Sequence, residues 1–193
     1  MNRVLAIFGF AGILSAQEVN PDRRLDHATQ ALRAFLSVDS NVPKDLAGKA
    51  QCIIVVPRLM KGAGLVGGKY GRGFASCRRV NGGWSSPAAI AMESSNLDSA
   101  TDLILVVVNP AGMQMLLDDK FTVDADVVSF SRNKELFNGA SLAGATLRTD
   151  AGENKKLYGY EIGNADILSG KERPPRGARA FVAELNKRAR KGK

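Results

Sequence analysis

"CIIVVPRLMKGAGLVGGKYGRGFASCRR", residues 52–79, opens on an uncharged, β-branched run and continues into a glycine-rich segment. That segment carries Arg58, Lys61, Lys69, Arg72, Arg78 and Arg79 without one carboxylate. Residues 52–57 are too short for a helix and show no polar alternation, so they read as a strand buried on both faces. The glycines after it mark a second strand that is loosened and able to bend. Cys52 opens the first strand and Cys77 closes the second. If the two pair as an antiparallel hairpin, the sulfurs stand opposite one another and can bridge, which adds about 3 kcal/mol by restricting the unfolded chain. Without that pairing both remain thiols.

Moving outward, "LILVVV" at 103–108 repeats the pattern of a fully buried strand. "GGWSSPAAIAME" (82–93) reads as a strand that Pro87 assigns to a sheet edge, and "DVVSFSR" (126–132) and "ASLAGATLR" (140–148) add one strand each. Asn20 before Pro21 is a helix start, followed by an apolar stripe of Leu25, Ala28, Leu32, Phe35 and Leu36 at helical spacing. Asn109 and Pro110 start a second helix that turns Met113, Leu116 and Leu117 inward, and a basic helix from Ala178 to about Arg190 carries Phe181, Val182, Leu185 and Ala189 on one side. This order predicts an α+β domain: a curved, largely antiparallel sheet with an N-terminal amphipathic helix, a mid-chain helix and a C-terminal basic helix.

The 193 residues suffice for one domain with a sizeable core. Residues 1–16 combine Arg3, an apolar run from Val4 to Leu14, and Ser15 and Ala16, which is the pattern of a secretory signal cut after Ala16. The run is about half of the roughly 20 residues that span a bilayer. The expected organisation is a signal peptide at 1–16, a domain at 17–170 and a basic tail at 171–193, in an exported protein that is periplasmic or secreted. Export favours a disulfide over a metal site or a reactive thiol for the two cysteines.

The net charge of +8 is segregated. Residues 46–92 carry seven basic and no acidic side chains, residues 93–170 carry six basic and twelve acidic, and residues 171–193 carry nine basic and two acidic. Either this makes a cationic face for an anionic surface, or the first two segments neutralise one another in the fold. The tail contributes Lys187, Arg188, Arg190 and Lys191.

Most site chemistry fails on spacing. Gly62, Gly64 and Gly67 satisfy G-x-G-x-x-G, but glycine and β-forming residues follow where a dinucleotide site needs a helix. Lys69 is followed by Tyr70 where a phosphate loop needs a hydroxyl for magnesium. "GASLAG" (139–144) resembles a nucleophile elbow around Ser141, yet the sole histidine, His27, lies upstream rather than downstream. One histidine and two cysteines offer no metal-ligand spacing. The reading is therefore not an enzyme, with no cofactor and no metal. Nucleic acid is excluded as a partner because the basic residues are interleaved with glycine and form no standard motif.

The blocks "AGKAQCIIVVPRLMKGAGLVGGKYGRGFASCR", "GGWSSPAAIAME", "TDLILVVVN", "KFTV", "SFSRNKELFNGASLAGATLR" and "LYG", in this order, resemble the SYLF-domain family from about residue 24 to 185. The resemblance implies a non-enzymatic, lipid-binding domain. Eukaryotic members bind phosphoinositides with an amphipathic N-terminal helix implicated, and some yeast members bind actin, which does not transfer to an exported bacterial member. Carried onto this chain, the helix is residues 22–37 with Arg23, Arg24 and Arg33 as headgroup contacts, and the glycine-rich strand supplies Lys61, Lys69 and Arg72. The chain departs from the pattern where "KFTVDADVVSFSR" joins two blocks that the family separates by a glycine- and alanine-rich stretch, and where "ESSNLDSA" replaces a longer segment after Met92. These losses imply an incomplete sheet or a more open site. The resulting expectation is binding of anionic phospholipid or a membrane surface by the cations of 23–33, 58–79 and the tail. The alternative is a cell-envelope scaffold or protein-interaction module, with an envelope protein as partner.

Overall fold

The two apolar runs become the centre of the molecule, β1 (Cys52–Pro57) and β5 (Asp102–Val107), paired antiparallel with every residue of both strands buried. The computed structural model describes residues 20–37, 43, 46–61, 69–94, 102–118, 120–133 and 136–189. The expected signal at 1–16, the Gly62, Gly64 and Gly67 motif, the shortened segment after Met92, and Arg190 and Lys191 lie outside the described residues.

Before β1 come α1 (Pro21–Phe35) and the short α2 (Leu46–Lys49), and after it β2 (Met60–Lys61), β3 (Lys69–Cys77) and β4 (Ala88–Ser94). After β5 follow α3 (Pro110–Met115), β6 (Lys120–Thr122), β7 (Val127–Asn133), β8 (Leu136–Ala140), β9 (Thr146–Thr149), α4 (Ala151–Tyr158), α5 (Asn164–Leu168) and α6 (Arg179–Ala189). The strands form one antiparallel sheet in the order β6-β9-β4-β3-β1-β5-β7-β8, with β2 added to β3. The α+β class with a curved antiparallel sheet is what the chain adopts.

Strand alternation sends side chains to two cores, one on each face. On one face Ile53, Val55, Phe74, Ala89, Ile104 and Val106 lie under α1 and α6, which contribute Leu25, Leu32, Phe35, Phe181 and Leu185. On the other, Ile54, Val56, Ile90, Met92, Leu103 and Leu105 meet Phe121 and Leu147 from the far strands of the same sheet, so the sheet curls over this core as a half-barrel. Curling is eased where β3 meets β1. A methyl group at Gly73 would stand 2.0 Å from the Val55 carbonyl oxygen, so only glycine permits this approach.

Both predicted N-caps form: the side chain of Asn20 accepts the Asp22 N–H and that of Asn109 the Gly112 N–H. Cys52 and Cys77 are opposed in register and joined by a disulfide. Two expectations are corrected. The strand beginning after Pro87 is not an edge, because β4 lies between β3 and β9; the proline sits just before its first residue, where no ladder donor is needed. "ASLAGATLR" is not one strand: β8 ends at Ala140, a turn spans Ser141 to Ala145, and β9 starts at Thr146. The shortened join after "KFTV" is a single turn in which Asp124 Oδ1 accepts the Asp126 N–H, delivering the chain straight into β7.

Candidate functional site

Of the cations singled out in the sequence, some are engaged inside the fold, some are exposed on α1 and after β1, and some lie at the disulfide end of the sheet. Arg72 points to the α1 side of β3, as does Phe74. Its Nε donates to Asp150 Oδ2 at 2.5 Å, and its Nη2 lies 3.5 Å from Glu153 Oε2. Arg24 of α1 pairs with the same Glu153, which is buried in the first turn of α4. Asp150 caps α4 by accepting the Glu153 N–H, so both acids are fixed by one helix start. Arg33 Nε donates to Glu184 Oε1 at 2.8 Å across the α1 and α6 pair, and Lys187 Nζ reaches the same oxygen at 3.0 Å. Burial works against the Glu184 charge, but these two donors outweigh it and hold its carboxyl below the ordinary range.

Arg58 takes a left-handed conformation, φ 52°, held by its N–H donating to Asp102 Oδ1 at 3.0 Å. Asp102 is buried and also receives Arg132. The Arg58 side chain is exposed, as is that of Arg23 on α1. Burial first, then the charges of these two arginines, lower the pKa of His27. Lys61 and Lys69 are opposed in the β2 and β3 pairing.

The remaining cations converge at the disulfide end. Beyond Cys77, Arg78 donates from Nε to the Ala50 carbonyl at 2.7 Å and from Nη2 to Gly48 at 3.3 Å, beside Lys49, and its guanidinium lies 4.8 Å over the Trp84 ring. Arg79 is exposed, with Nε donating to the Gly82 carbonyl at 3.2 Å. A methyl group at Gly83 would lie 3.1 Å from Arg79 Nη2 and 3.0 Å from Asn186 Oδ1, which sets this turn against the end of α6, where Lys187 and Arg188 follow. One at Gly170 would lie 2.6 Å from Arg79 Cδ, bringing Lys171 to the same place. Arg78 and Arg79 thus form a basic rim that the last turn of α6 borders through Asn186, while the Lys187 ammonium next to it is held by Glu184.

The apolar stripe of α1 faces the sheet, with Leu25, Ala28, Leu32 and Phe35 buried. Among the described residues no helix is long and apolar enough to cross a membrane. Ser141 is exposed in the turn after β8, and His27 sits on α1. The sequence reading passed over Asp150, Glu153, Asp102 and Arg132. The D-x-x-E spacing at 150–153 is a helix-cap signal that could have located the first two, whereas the Asp102 and Arg132 pair depends on strand register.

A family described as Las17-binding protein actin regulator, Ysc84, matches residues 92–188, from the end of β4 through nearly all of α6. The chain belongs to the Ysc84 (SYLF-domain) family. LAS seventeen-binding protein 3 of Saccharomyces cerevisiae is 25% identical over 182 residues, covering 78% of this chain and 39% of the yeast protein. Protein YSC84 of the same yeast is 24% identical over 199 residues, 84% of this chain and 42% of that protein. The SH3 domain-containing YSC84-like protein 1 of Homo sapiens is 26% identical over 178 residues, 74% of this chain and 52% of the human protein. The chain therefore spans about half or less of these Ysc84-family relatives. No solved structure matches it. The first of these relatives is named for binding Las17 and the human one for containing an SH3 domain, and none of the three names is that of an enzyme.

Proposed function

We propose that this Ysc84-family chain is an exported, non-catalytic module that binds an anionic membrane surface through the basic rim at the disulfide end of its sheet. The observation that carries the reading is the exposed Arg79 beside Arg78 at the disulfide end, next to the last turn of α6, whereas Arg24, Arg33, Arg72 and Lys187 each have an acidic partner. Cations close to a charged bilayer contribute about 1 kcal/mol each, so a rim of this kind gives peripheral, salt-sensitive attachment rather than insertion. Vesicle flotation tests it. The protein is expected to float with vesicles containing phosphatidylglycerol, to stay behind with purely phosphatidylcholine vesicles, and to be released by several hundred millimolar salt. Equal, salt-insensitive behaviour with both vesicles overturns the electrostatic reading.

The second reading, a protein-interaction module in the cell envelope, is favoured by the relatives' printed names, which refer to a protein partner or to SH3 domains. It expects the protein to stay soluble with either vesicle and to be retained by an envelope protein.

A further inference from the structure

At the apex of the basic rim stands a residue that folding does not explain. Val80 is 105% exposed, the most solvated of the large hydrophobic side chains among the described residues. It occupies the tip of the turn Arg79–Gly82, closed by the Gly82 N–H donating to the Arg79 carbonyl at 3.0 Å and the Arg79 N–H donating to the Gly83 carbonyl at 3.0 Å. Gly82 and Gly83 both have positive φ, 85° and 75°, so the return path belongs to glycine and the tip residue is left to point outward. Such tips are ordinarily Asn, Asp, Ser, Gly or Pro, each for a backbone reason. A β-branched valine supplies none of these and gains no packing here.

The turn is also held firmly. The disulfide at Cys77 lies three residues before Val80, Arg78 pairs with Trp84 across the strands, and the Arg79 stem lies against Gly170. A rigid apolar tip flanked by the exposed Arg79 has the layout of an interfacial anchor, with the apolar group below the headgroups and the cation level with the phosphates. Resting on the membrane reading above, we infer that the Arg79–Gly82 turn is the bilayer-contacting element: Val80 enters the boundary between headgroups and acyl chains while Arg79 meets a lipid phosphate. The chemistry it recognises is an anionic phosphate on an apolar floor, which a soluble polyanion does not offer.

The experiment is vesicle binding by wild type, Val80→Asp and Val80→Ala, with inorganic polyphosphate as competitor, plus Val80→Trp titrated with vesicles carrying brominated acyl chains. Val80→Asp is expected to lower affinity for phosphatidylglycerol vesicles about tenfold or more, and Val80→Ala by a smaller factor. The new indole of Val80→Trp is expected to be quenched by the brominated chains, against the constant background of Trp84, which is buried. Because Val80 touches no core, these variants keep the fold, checked by circular dichroism. If wild type binds but Val80→Asp binds equally and the new indole is not quenched, the turn is not the anchor although the membrane reading stands. If wild type ignores anionic vesicles, both fail. If polyphosphate displaces the protein fully and Val80→Asp is without effect, the rim is a soluble-polyanion site and the inference is overturned.

Discussion

Arg24 shows how a charge that looks offered to solvent can belong to the interior. In α1 it stands next to the buried stripe, and its guanidinium meets Glu153, whose carboxylate is 2% exposed and shared with Arg72. Removing one member of such a group strands a buried charge, which costs more than the group contributes as a whole. Arg24→Leu is therefore expected to destabilise the fold by about 3 kcal/mol, read as a lowered urea midpoint at unchanged slope. Arg24→Leu combined with Glu153→Leu should recover most of that loss. Strictly additive losses in this cycle would show that the two residues do not interact. In the sequence Arg24, Arg33 and Arg72 are indistinguishable from Arg23 and Arg79, because pairing is decided by residues as much as 151 positions away. Arg72 meets Asp150 and Glu153 of the acidic segment 93–170, so part of the segregation cancels within the fold and part does not.

At the scale of elements, the legible features were those written in local chemistry. Asn20–Pro21 and Asn109–Pro110 announced helix starts, and the two uncharged β-branched runs announced central strands, because capping and double-sided burial leave residue patterns a few positions long. Pro87 misled because its cost depends on whether it falls inside a ladder or one residue before it. "ASLAGATLR" misled because a turn closed at Gly144 resembles a loosened strand when only composition is read. α4 and α5 were not foreseen; α4 carries only a modest apolar face and buries Glu153 and Asn154, the latter donating to Asn164 and accepting the Ala89 N–H. The disulfide was legible only as a condition on pairing, and β1 meets that condition against β3 with Cys52 and Cys77 in direct register. It closes a loop of 25 residues, so Cys52→Ala with Cys77→Ala is expected to lose about 3 kcal/mol and to remove any effect of reductant on the melting temperature. Wild type should melt several degrees lower after reduction. A melting temperature unaffected by reductant in wild type would mean that the bridge does not constrain the unfolded chain.

For the whole molecule, the question is which cations act outward. Deleting residues 171–193 cannot answer it, because α6 buries Phe181 and Leu185 against α1 and the sheet, and its loss would open that core. A cut after Ala189 keeps α6 and removes Arg190, Lys191 and Lys193, taking the net charge from +8 to +5. If long-range attraction by the whole chain drives membrane contact, the three lost charges should weaken binding to phosphatidylglycerol vesicles in low salt and flatten its dependence on ionic strength. The variant keeps every described core residue, so its urea midpoint should match wild type. Charge reversal at the rim, Arg79→Glu, changes net charge by two but alters the local contact as well, so it is expected to reduce binding more than its share of charge, with a residual loss that persists at high salt. If the two variants lie on one line of affinity against net charge, the surface responds to total charge alone and the rim has no privileged role. If the rim variant falls well below that line, the convergence of β3, its following turn and the end of α6 is what turns a polarised chain into a directional one.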